Sequence, residues 1–382
     1  MAHALLSPSA AHRWMHCTAS PLLEREVEDK ATTYAEEGTL AHAYCAKKLK
    51  EFLKRDTSSE DGEIAMLSGK YHTGEMDEYT DTYMTIVLGK YASAQTKTQD
   101  AQLLVEQHLD FTKWVPSGFG TGDAIIIADG CMEIIDFKYG KGVKVSAVEN
   151  PQMMIYALGA YDAFSFEYDI KKIRMTIVQP RIDNLSEFEI TADELLTWAE
   201  KELLPKAEEA YSGNGKQCAG DWCKFCKVKG NCKALATKCM ESYKAAADPR
   251  LLTPEEIAEN VLPQLPIIKS WLADAEAYAL DQALKGVAFP HYKIVEGRSI
   301  RKITDQQGVI DTLSGQGFKA ADFIKPTELR SITDLEKLVG KKAFGTLCAD
   351  YITKPQGKPT LVPESDKRSA MNAAEDDFKN IL

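Results

Sequence analysis

The sequence predicts an α/β fold in which a mixed sheet lies between helices. The first hundred residues contain mainly helix formers with recurrent apolar positions. From residue 103 to residue 138 the pattern changes to short runs rich in apolar and β-branched residues, which are typical of strands. Helix, strand and helix patterns then alternate as far as Tyr211. Elements in this order form a sheet with helices packed on its faces.

Local signals support the elements of the first half. Ser7 followed by Pro8 is typical of a helix start, and residues 36–53 read as a helix. Strands are predicted at residues 103–111, 124–128, 131–137 and 173–178.

Two more helices have clear starts. Asn150 precedes Pro151 at the beginning of a helix that continues to about residue 164. Thr191 and Glu194 have the spacing of a capping box, which starts the helix toward Tyr211.

The length of 382 residues suggests about two domains. We expect an α/β domain at residues 1–244 and an α+β accessory region at residues 245–382, with a linker at residues 245–249. In the second region Thr253 begins a helix, and residues 291–303 predict a strand or a hairpin.

The composition excludes several classes of protein. With 44% hydrophobic and 27% charged residues, the chain is neither disordered nor fibrous. No run reaches the roughly 18 apolar residues of a membrane span, and the first residues lack a signal-peptide pattern. We therefore expect a cytoplasmic protein that does not bind membranes. The net charge of −11 argues against indiscriminate coating of nucleic acid, but it permits a local basic groove.

The segment 122–138 predicts a hairpin that brings two aspartates together. Asp129-Gly130 between apolar runs is a strong signal for a two-residue turn. In that register Asp123 lies directly opposite Asp136, and two like charges so placed destabilise a sheet unless they are compensated. A turn of another length would shift the register and separate them.

A divalent cation would compensate the two carboxylates, since their oxygens suit Mg²⁺ or Mn²⁺. Lys138 follows Asp136 by two positions, so it lies on the same face of the strand. Two acids and a lysine can bind a metal and position a water for attack on a phosphate. The alternative is a solvated strand end with an Asp136–Lys138 ion pair. Gln152 and Tyr156 share one face of the next helix, where they support the site or simply pack.

The cysteines predict a second metal centre. Cys223, Cys226 and Cys232 have the spacing C-x2-C-x5-C, and thiolates favour zinc or an iron–sulfur cluster. Cys218, near in sequence, and Cys17, about two hundred residues earlier, are both candidates for a fourth ligand. Nine cysteines with this clustering suit a reducing compartment.

A lysine-containing loop follows the hairpin. Lys141 and Lys144 lie in a segment whose glycines allow close approach of the backbone, so they are candidates for phosphate contacts. A solvated loop is the alternative.

The ordered set of His42, Asp123, Asp136-Phe137-Lys138 and Gln152-x-x-x-Tyr156 resembles the PD-(D/E)XK nuclease superfamily. The branch that it resembles is that of RecB-type and Cas4-type nucleases, which carry an iron–sulfur cluster. The overall pattern, including residues 7–14 and 292–299, is similar to an uncharacterised family of bacteriophages and prophages (DUF2800).

The resemblance implies a three-layer core and a role for each residue. His42, Asp123 and Asp136 would bind Mg²⁺ or Mn²⁺ with the Phe137 carbonyl as a possible fourth ligand, and Lys138 would orient water or stabilise charge. Gln152 and Tyr156 would support the site, and Glu106 lies on a preceding strand where members of the superfamily often carry a glutamate. The resemblance also favours Cys17 as the partner of Cys223, Cys226 and Cys232 in a [4Fe–4S] cluster.

The function that the resemblance implies is metal-dependent hydrolysis of DNA, in an exonuclease-like manner, during phage or prophage DNA recombination or processing. Single- or double-stranded DNA would be the substrate, and phage recombination proteins would be possible partners. Two other functions stay open: a non-catalytic DNA-binding or scaffold protein, and a redox-responsive regulator.

Overall fold

Helices make up most of the first hundred residues, as predicted. The structure, a computed structural model, describes residues 4–28, 33–244, 253–297, 301–324, 329–353, 355, 359–363 and 368. None of the helices in these ranges has both the length and the apolarity that a bilayer crossing needs. The first five helices are α1 (Ala11–His16), α2 (Ser20–Arg25), α3 (Thr33–Phe52), α4 (Ser58–Tyr71) and α5 (Gly74–Gln95).

A five-stranded mixed sheet follows these helices. Its strands lie side by side in chain order: β1 (Gln102–Asp110), β2 (Phe119–Ala128), β3 (Cys131–Phe137), β4 (Lys172–Gln179) and β5 (Asn184–Thr191). Strands β3 and β4 are parallel, and the other neighbours are antiparallel. A parallel pair needs a crossover connection, which contains helix α6 (Pro151–Phe164).

The two faces of the sheet pack against different helices. Ile126, Ile135 and Phe137 belong to a core with side chains of α3 and α5. Ile125 and Ile134 alternate with them and belong to a second core, with α6. The predicted α/β fold with a mixed sheet between helices is therefore confirmed, as three layers.

The turn Asp129–Gly130 joins β2 to β3 in the predicted register. Ala128 pairs with Cys131, and Ala124 pairs with Ile135 at the other end of the ladder. Gly130 has φ of 80°, which explains why a glycine occupies the second turn position.

Strand β5 was not predicted. Its side chains alternate between half-buried and exposed positions after a buried Asn184 at its start, as expected for an edge strand. Such a strand carries few apolar residues, so it resembles a loop in sequence. The capping box of Thr191 and Glu194 is present and begins α7 (Ala192–Trp198), and α8 (Leu204–Tyr211) follows after a π-helical turn.

The cysteine-rich stretch extends the first compact unit beyond residue 244. Helices α9 (Lys233–Lys244), α10 (Pro254–Glu256) and α11 (Leu265–Leu284) follow it. Ile267, Ile268 and Trp271 pack against a small core that contains Leu235 and Cys239. The chain divides into two compact units, Met1–Trp271 and Leu272–Leu382. The domain boundary near residue 244 stays a prediction. The linker predicted at residues 245–249 lies outside the described residues.

The second unit contains short helices and strands around its own small core. The helices are α12 (Gln306–Gly315), α13 (Ala320–Phe323), α14 (Ile332–Val339) and α15 (Lys341–Leu347), and the strands are β6 (Tyr292–Glu296), β7 (Lys302–Ile303), β8 (Ile352–Thr353) and β9 (Pro359–Pro363). Strand β6 pairs with β9, and β7 pairs with β8. The hairpin considered for residues 291–303 is therefore wrong, because both of its strands pair with later segments.

We expect replacement of Gly130 by alanine to lower the free energy of unfolding by about 1 kcal/mol, because a Cβ disfavours positive φ. Gly89→Ala is the matched control, since Gly89 lies exposed in α5 and neither position has an atom within 4 Å of an added Cβ. Chemical denaturation should show the opposite sign for the control, a gain of up to about 1 kcal/mol from higher helix propensity. A stable Gly130→Ala variant would contradict the assigned turn.

Candidate metal centre

Three carboxylates form a row across neighbouring strands. In β1, the pairs on either side of Glu106 place it opposite Asp123 of β2. The register of β2 and β3 places Asp123 opposite Asp136 in turn. Each of these side chains is at least partly buried. A row of like charges on one sheet is destabilising unless cations compensate it.

The backbone at Glu106 is strained. Its φ of 50° lies in the left-handed region, which few residues other than glycine adopt inside a strand. Residues 105 and 107 pair with β2 on either side of it. Such strain costs on the order of 1–3 kcal/mol and is found most often at functional sites. The sequence carries no signal for this conformation.

Helix α3 brings His42 to the row. His42 Nδ1 lies 3.4 Å from Asp123 Oδ1, and the imidazole packs edge-on against the Phe137 ring, with 5.3 Å between centroids. One ligand atom from each of His42, Glu106 and Asp123 lies within 4.8 Å of the other two. That spacing allows three ligands to share one divalent cation.

Asp136 continues the row into the interior. Its Oδ1 accepts hydrogen bonds from Lys138 Nζ and Gln152 Nε2, both at 3.2 Å. Its Oδ2 lies 3.0 Å from Lys138 Nζ, but it is buried without a hydrogen bond of acceptable geometry. A buried carboxylate oxygen in this state is costly, and a bound cation would satisfy it. The donor set of imidazole and carboxylates therefore fits a divalent cation.

Phe137 contributes through its backbone. Its N–H donates to Asp123 Oδ2 at 2.7 Å, which leaves Asp123 Oδ1 facing His42. The role of the Phe137 carbonyl as a ligand stays a prediction.

Helix α6 supports Lys138 from the opposite side. Asn150 caps the helix by accepting from the backbone N–H of Gln152 at 3.0 Å, and Gln152 Oε1 accepts from Lys138 Nζ at 3.1 Å. Tyr156, one helical turn after Gln152, is buried. Gly120 of β2 permits this packing, because a Cβ there would lie 3.0 Å from the tyrosine ring.

The pKa values show the effect of crowding these charges. Burial alone would lower the pKa of His42, but Asp123, with smaller contributions from Glu106 and Asp136, raises it to about 9. Burial, followed by the Asp123 carboxylate, raises the pKa of Glu106 to about 8. Burial also raises the pKa of Asp136, against the opposing charge of Lys138. At Asp123 burial is outweighed by His42 and the Phe137 N–H, so its pKa is lowered.

Arg181 was missed by the sequence analysis. It follows β4, its Nη1 lies 3.3 Å from Glu37 Oε1 of α3, and its guanidinium lies 4.5 Å from the centroid of the Tyr139 ring. Because Tyr139 follows Lys138 and Glu37 precedes His42 by five residues, this contact ties together two segments that carry the site.

The loop that carries Lys141 and Lys144 is hydrogen-bonded to side chains of β4 and β5. Gln179 Nε2 donates to the Val143 carbonyl at 2.9 Å, and Asn184 Nδ2 donates to the Val145 carbonyl at 2.8 Å. Lys141 and Lys144 are exposed, and Lys144 lines the same cleft as Lys138 and Gln152.

The structure brings Cys17 to the three later cysteines. Cys17, Cys223, Cys226 and Cys232 line one small cavity, with Cys218 also at its wall. Backbone N–H groups of Cys218 and Gly220 donate to the sulfurs of Cys17 and Cys223, both at 3.4 Å. Burial raises the pKa of Cys226 to about 12, whereas Cys218 is exposed.

Hydrogen bonds also join the two cysteine segments. Arg13 Nη2 lies 2.8 Å from Glu24 Oε2, and Glu24 Oε1 accepts from the Lys227 N–H at 2.8 Å. Arg13 Nη1 donates to the Phe225 carbonyl at 3.3 Å. The arrangement therefore does not depend on the sulfurs alone.

Comparison with known proteins finds one family and distant structures. A family model described as “Protein of unknown function (DUF2800)” matches residues 3–369. A crystal structure of SSO0001 is 18% identical over 59% of this chain and 96% of that chain, with a TM-score of 0.24. A crystal structure described as “Putative exonuclease” from Eubacterium rectale is 11% identical over 67% of this chain and 93% of that chain, with a TM-score of 0.33.

We expect Mn²⁺ affinity to rise with pH between about 6 and 9. The metal must displace the proton that His42 holds below about pH 9 and the proton that Glu106 holds below about pH 8, so affinity should change by up to about tenfold per pH unit for each proton released. Isothermal titration calorimetry would measure the Mn²⁺ affinity at each pH. Repeating it in buffers of different ionisation enthalpy would measure the number of protons released on binding.

Asp123→Asn should weaken this binding at least about tenfold, because it removes a charged ligand from a partly buried site. Asp129→Asn is the control, since it makes the same chemical change on the same hairpin and keeps a good turn sequence. Affinity that is independent of pH, or equal effects of the two variants, would contradict the assigned site.

Proposed function

The chain belongs to the DUF2800 family, and we propose that it is a divalent-metal-dependent DNA nuclease with an active site of the PD-(D/E)XK type. One observation carries the proposal: carboxylates of adjacent strands lie in one row, with His42 beside Asp123 and Lys138 beside Asp136. This combination of residues suits hydrolysis of a phosphodiester, which needs a cation at the phosphate and an oriented water.

The metal would be held by His42, Glu106, Asp123 and Asp136. Mg²⁺ or Mn²⁺ bound there would lower the pKa of a coordinated water and offset the charge of the phosphate. Asp136 Oδ2 is available for this role because it lacks a hydrogen-bonding partner. Asp123 is held in place by the Phe137 N–H.

Lys138 would act as a fixed positive charge. Burial lowers the pKa of Lys138, but the carboxylates of Asp136 and Asp123 raise it by more, so the pKa lies above its ordinary value. The ammonium therefore stays protonated and does not serve as a general base. Two of its N–H groups are used by Asp136 and Gln152. The third is free to orient water or to contact a phosphate oxygen, since the side chain is 27% exposed.

Gln152 and Tyr156 would be positioning residues. Gln152 accepts a hydrogen bond from Lys138 and donates one to Asp136, so it fixes the positions of these two oppositely charged side chains. Tyr156 would support the same face of α6 from within the core. Lys141 and Lys144 would contact the DNA backbone, with an affinity that falls as salt rises.

The four cysteines Cys17, Cys223, Cys226 and Cys232 would hold a [4Fe–4S] cluster, with zinc as the alternative. Backbone N–H groups directed at two of the sulfurs support this role, because such hydrogen bonds stabilise thiolate ligands. Joining Cys17 to residues two hundred positions later would also restrict the unfolded chain strongly. We propose a structural role for the cluster and, from the family resemblance, a role for the protein in phage or prophage DNA recombination or processing.

The test of the proposed activity is cleavage of labelled single- and double-stranded DNA by purified protein with Mg²⁺ or Mn²⁺. Asp136→Asn and Lys138→Met should each lower the rate by at least about a thousandfold, because each removes charge stabilisation at the reacting phosphate. Lys171→Met is the control for lysine removal, since Lys171 is 71% exposed and pairs with Asp169. DNA binding without metal-dependent cleavage would instead indicate a non-catalytic DNA-binding protein.

The cysteine centre is tested by iron, sulfide and zinc analysis of anaerobically purified protein. We expect about four iron and four sulfide per chain, lost in Cys17→Ala and retained in Cys218→Ala. Cys131→Ala is the control, because Cys131 lies on β3 and not at the cysteine cavity. One zinc per chain would show that the centre holds zinc instead of iron. Loss of metal in Cys218→Ala but not in Cys17→Ala would show that Cys218, and not Cys17, is the fourth ligand.

A further inference from the structure

One cleft is lined both by residues that support the candidate metal centre and by a residue of the cysteine-rich stretch. It has a volume of about 1100 Å³ and is lined at one end by Lys138 and Gln152. At the other end it is lined by His12, His16 and Phe225. The wall opposite the candidate site is therefore built by the segment between Cys223 and Cys226 and by the helix that precedes Cys17.

The exposed apolar side chains of this cleft are unusual. Phe225 is 68% exposed, and Val143 and Val148, which also line the cleft, are 41% and 55% exposed. Leaving a phenylalanine in water forgoes the stabilisation that burial of its ring would bring. Exposed apolar groups that line a cleft mark a surface for a ligand with its own apolar faces.

The backbone holds Phe225 in place. Arg13 Nη1 donates to its carbonyl at 3.3 Å, and the adjacent Lys227 N–H donates to Glu24. Beside it, His16 stacks on Trp222 with ring centroids 4.3 Å apart. Because the backbone that carries the ring is already held, only the side-chain torsions of Phe225 are ordered when another ring stacks on it.

The charges of the cleft are mixed. Lys138, Lys144 and Lys206 line it, but so do Glu149, Glu194 and Glu202. Two of these acids have partners, since Glu194 accepts from Thr191 and Glu202 lies 3.6 Å from Lys206. The outer surface of a duplex is a dense array of phosphates and would gain little from apolar walls with balanced charge. An unpaired strand exposes both phosphates and the flat faces of its bases, so it fits lysines and aromatic rings together.

We propose that Phe225 is a substrate-binding residue on which an unpaired base of the DNA strand stacks, so that the cysteine-rich stretch forms one wall of the DNA cleft. This inference rests on the proposed nuclease function, because the cleft begins at Lys138 and Gln152. It adds a binding role to a stretch whose proposed role is otherwise structural.

The experiment measures binding apart from cleavage. Full-length protein carrying Asp136→Asn, which prevents turnover, is titrated in Mg²⁺ against a fluorescent oligothymidylate of twenty nucleotides and a twenty-base-pair duplex, with anisotropy as the readout. We expect tighter binding of the single strand. Adding Phe225→Ala should weaken single-strand binding about tenfold and leave duplex binding nearly unchanged, because stacking contributes this much per base. Phe225→Trp should restore the affinity.

Phe166→Ala is the matched control. Phe166 is 98% exposed and is not among the residues that line the cleft, so its loss should leave both affinities unchanged. Metal content is measured for every variant. If Phe225→Ala loses metal from the cysteine centre, Val148→Ser supplies the same test, since Val148 lines the cleft on a loop distant from the cysteines in sequence.

The outcomes separate this inference from the proposed function. Any one of four results would overturn the inference. Phe225→Ala and Phe166→Ala could have equal effects, or Phe225→Ala could weaken duplex and single-strand binding equally. The Phe225→Trp variant could fail to restore binding, or the protein could fail to bind either DNA. Metal-dependent cleavage by wild-type protein together with any of these results would leave the nuclease function standing. Phe225-dependent binding by a wild-type protein that never cleaves would support the stacking role and remove the enzymatic one.

Discussion

The repulsion among three carboxylates is the constraint on which the candidate site depends. Two full charges about 5 Å apart repel by about 3 kcal/mol at the effective dielectric of a protein, and Glu106, Asp123 and Asp136 form two such neighbouring pairs. The chain offsets this cost partly with His42 and Lys138, which contact Asp123 and Asp136. Glu106, whose pKa is raised first by burial and then by the Asp123 carboxylate, shows that the repulsion is not fully offset.

The three-layer fold explains how these charges are held. Helix α3 supplies His42 to the row, while α6, on the other face of the sheet, supplies Gln152 and Tyr156. Each layer therefore contributes a different kind of group, a metal ligand from one side and support for Lys138 from the other. Arg181 adds a contact between α3 and the residue after Lys138, so the layers cannot shift independently. The strained Glu106 is tolerated because residues 105 and 107 pair with β2 on either side of it and residues 103–105 are buried.

The cysteine-rich stretch stands at the far end of the cleft that begins at Lys138. The segment that carries Cys17 is joined to the cysteine-rich stretch by hydrogen bonds. The Cys218 N–H donates to the Cys17 sulfur, and the Lys227 N–H donates to Glu24, which also pairs with Arg13. A metal centre at this place would rigidify the segment that carries Phe225, so its structural role and the proposed binding role would depend on one another. The first unit includes residues beyond the sheet and its helices because Ile267, Ile268 and Trp271 pack on the small core beside Cys239.

The sequence by itself determined the features that depend on neighbouring residues. The Asp129–Gly130 turn set the register that places Asp123 opposite Asp136, strand alternation placed Lys138 beside Asp136, and Asn150 set the start of α6. Only the tertiary structure decided the features that depend on distant residues. Strand β5 is recognised only by its pairing with β4. Strands β6 and β7 pair with segments about fifty to seventy residues later. Arg181 pairs with Glu37, which lies far from it in sequence. The backbone of Glu106 belongs to this second class, because strain appears only when surrounding packing outweighs the local preference of the residue.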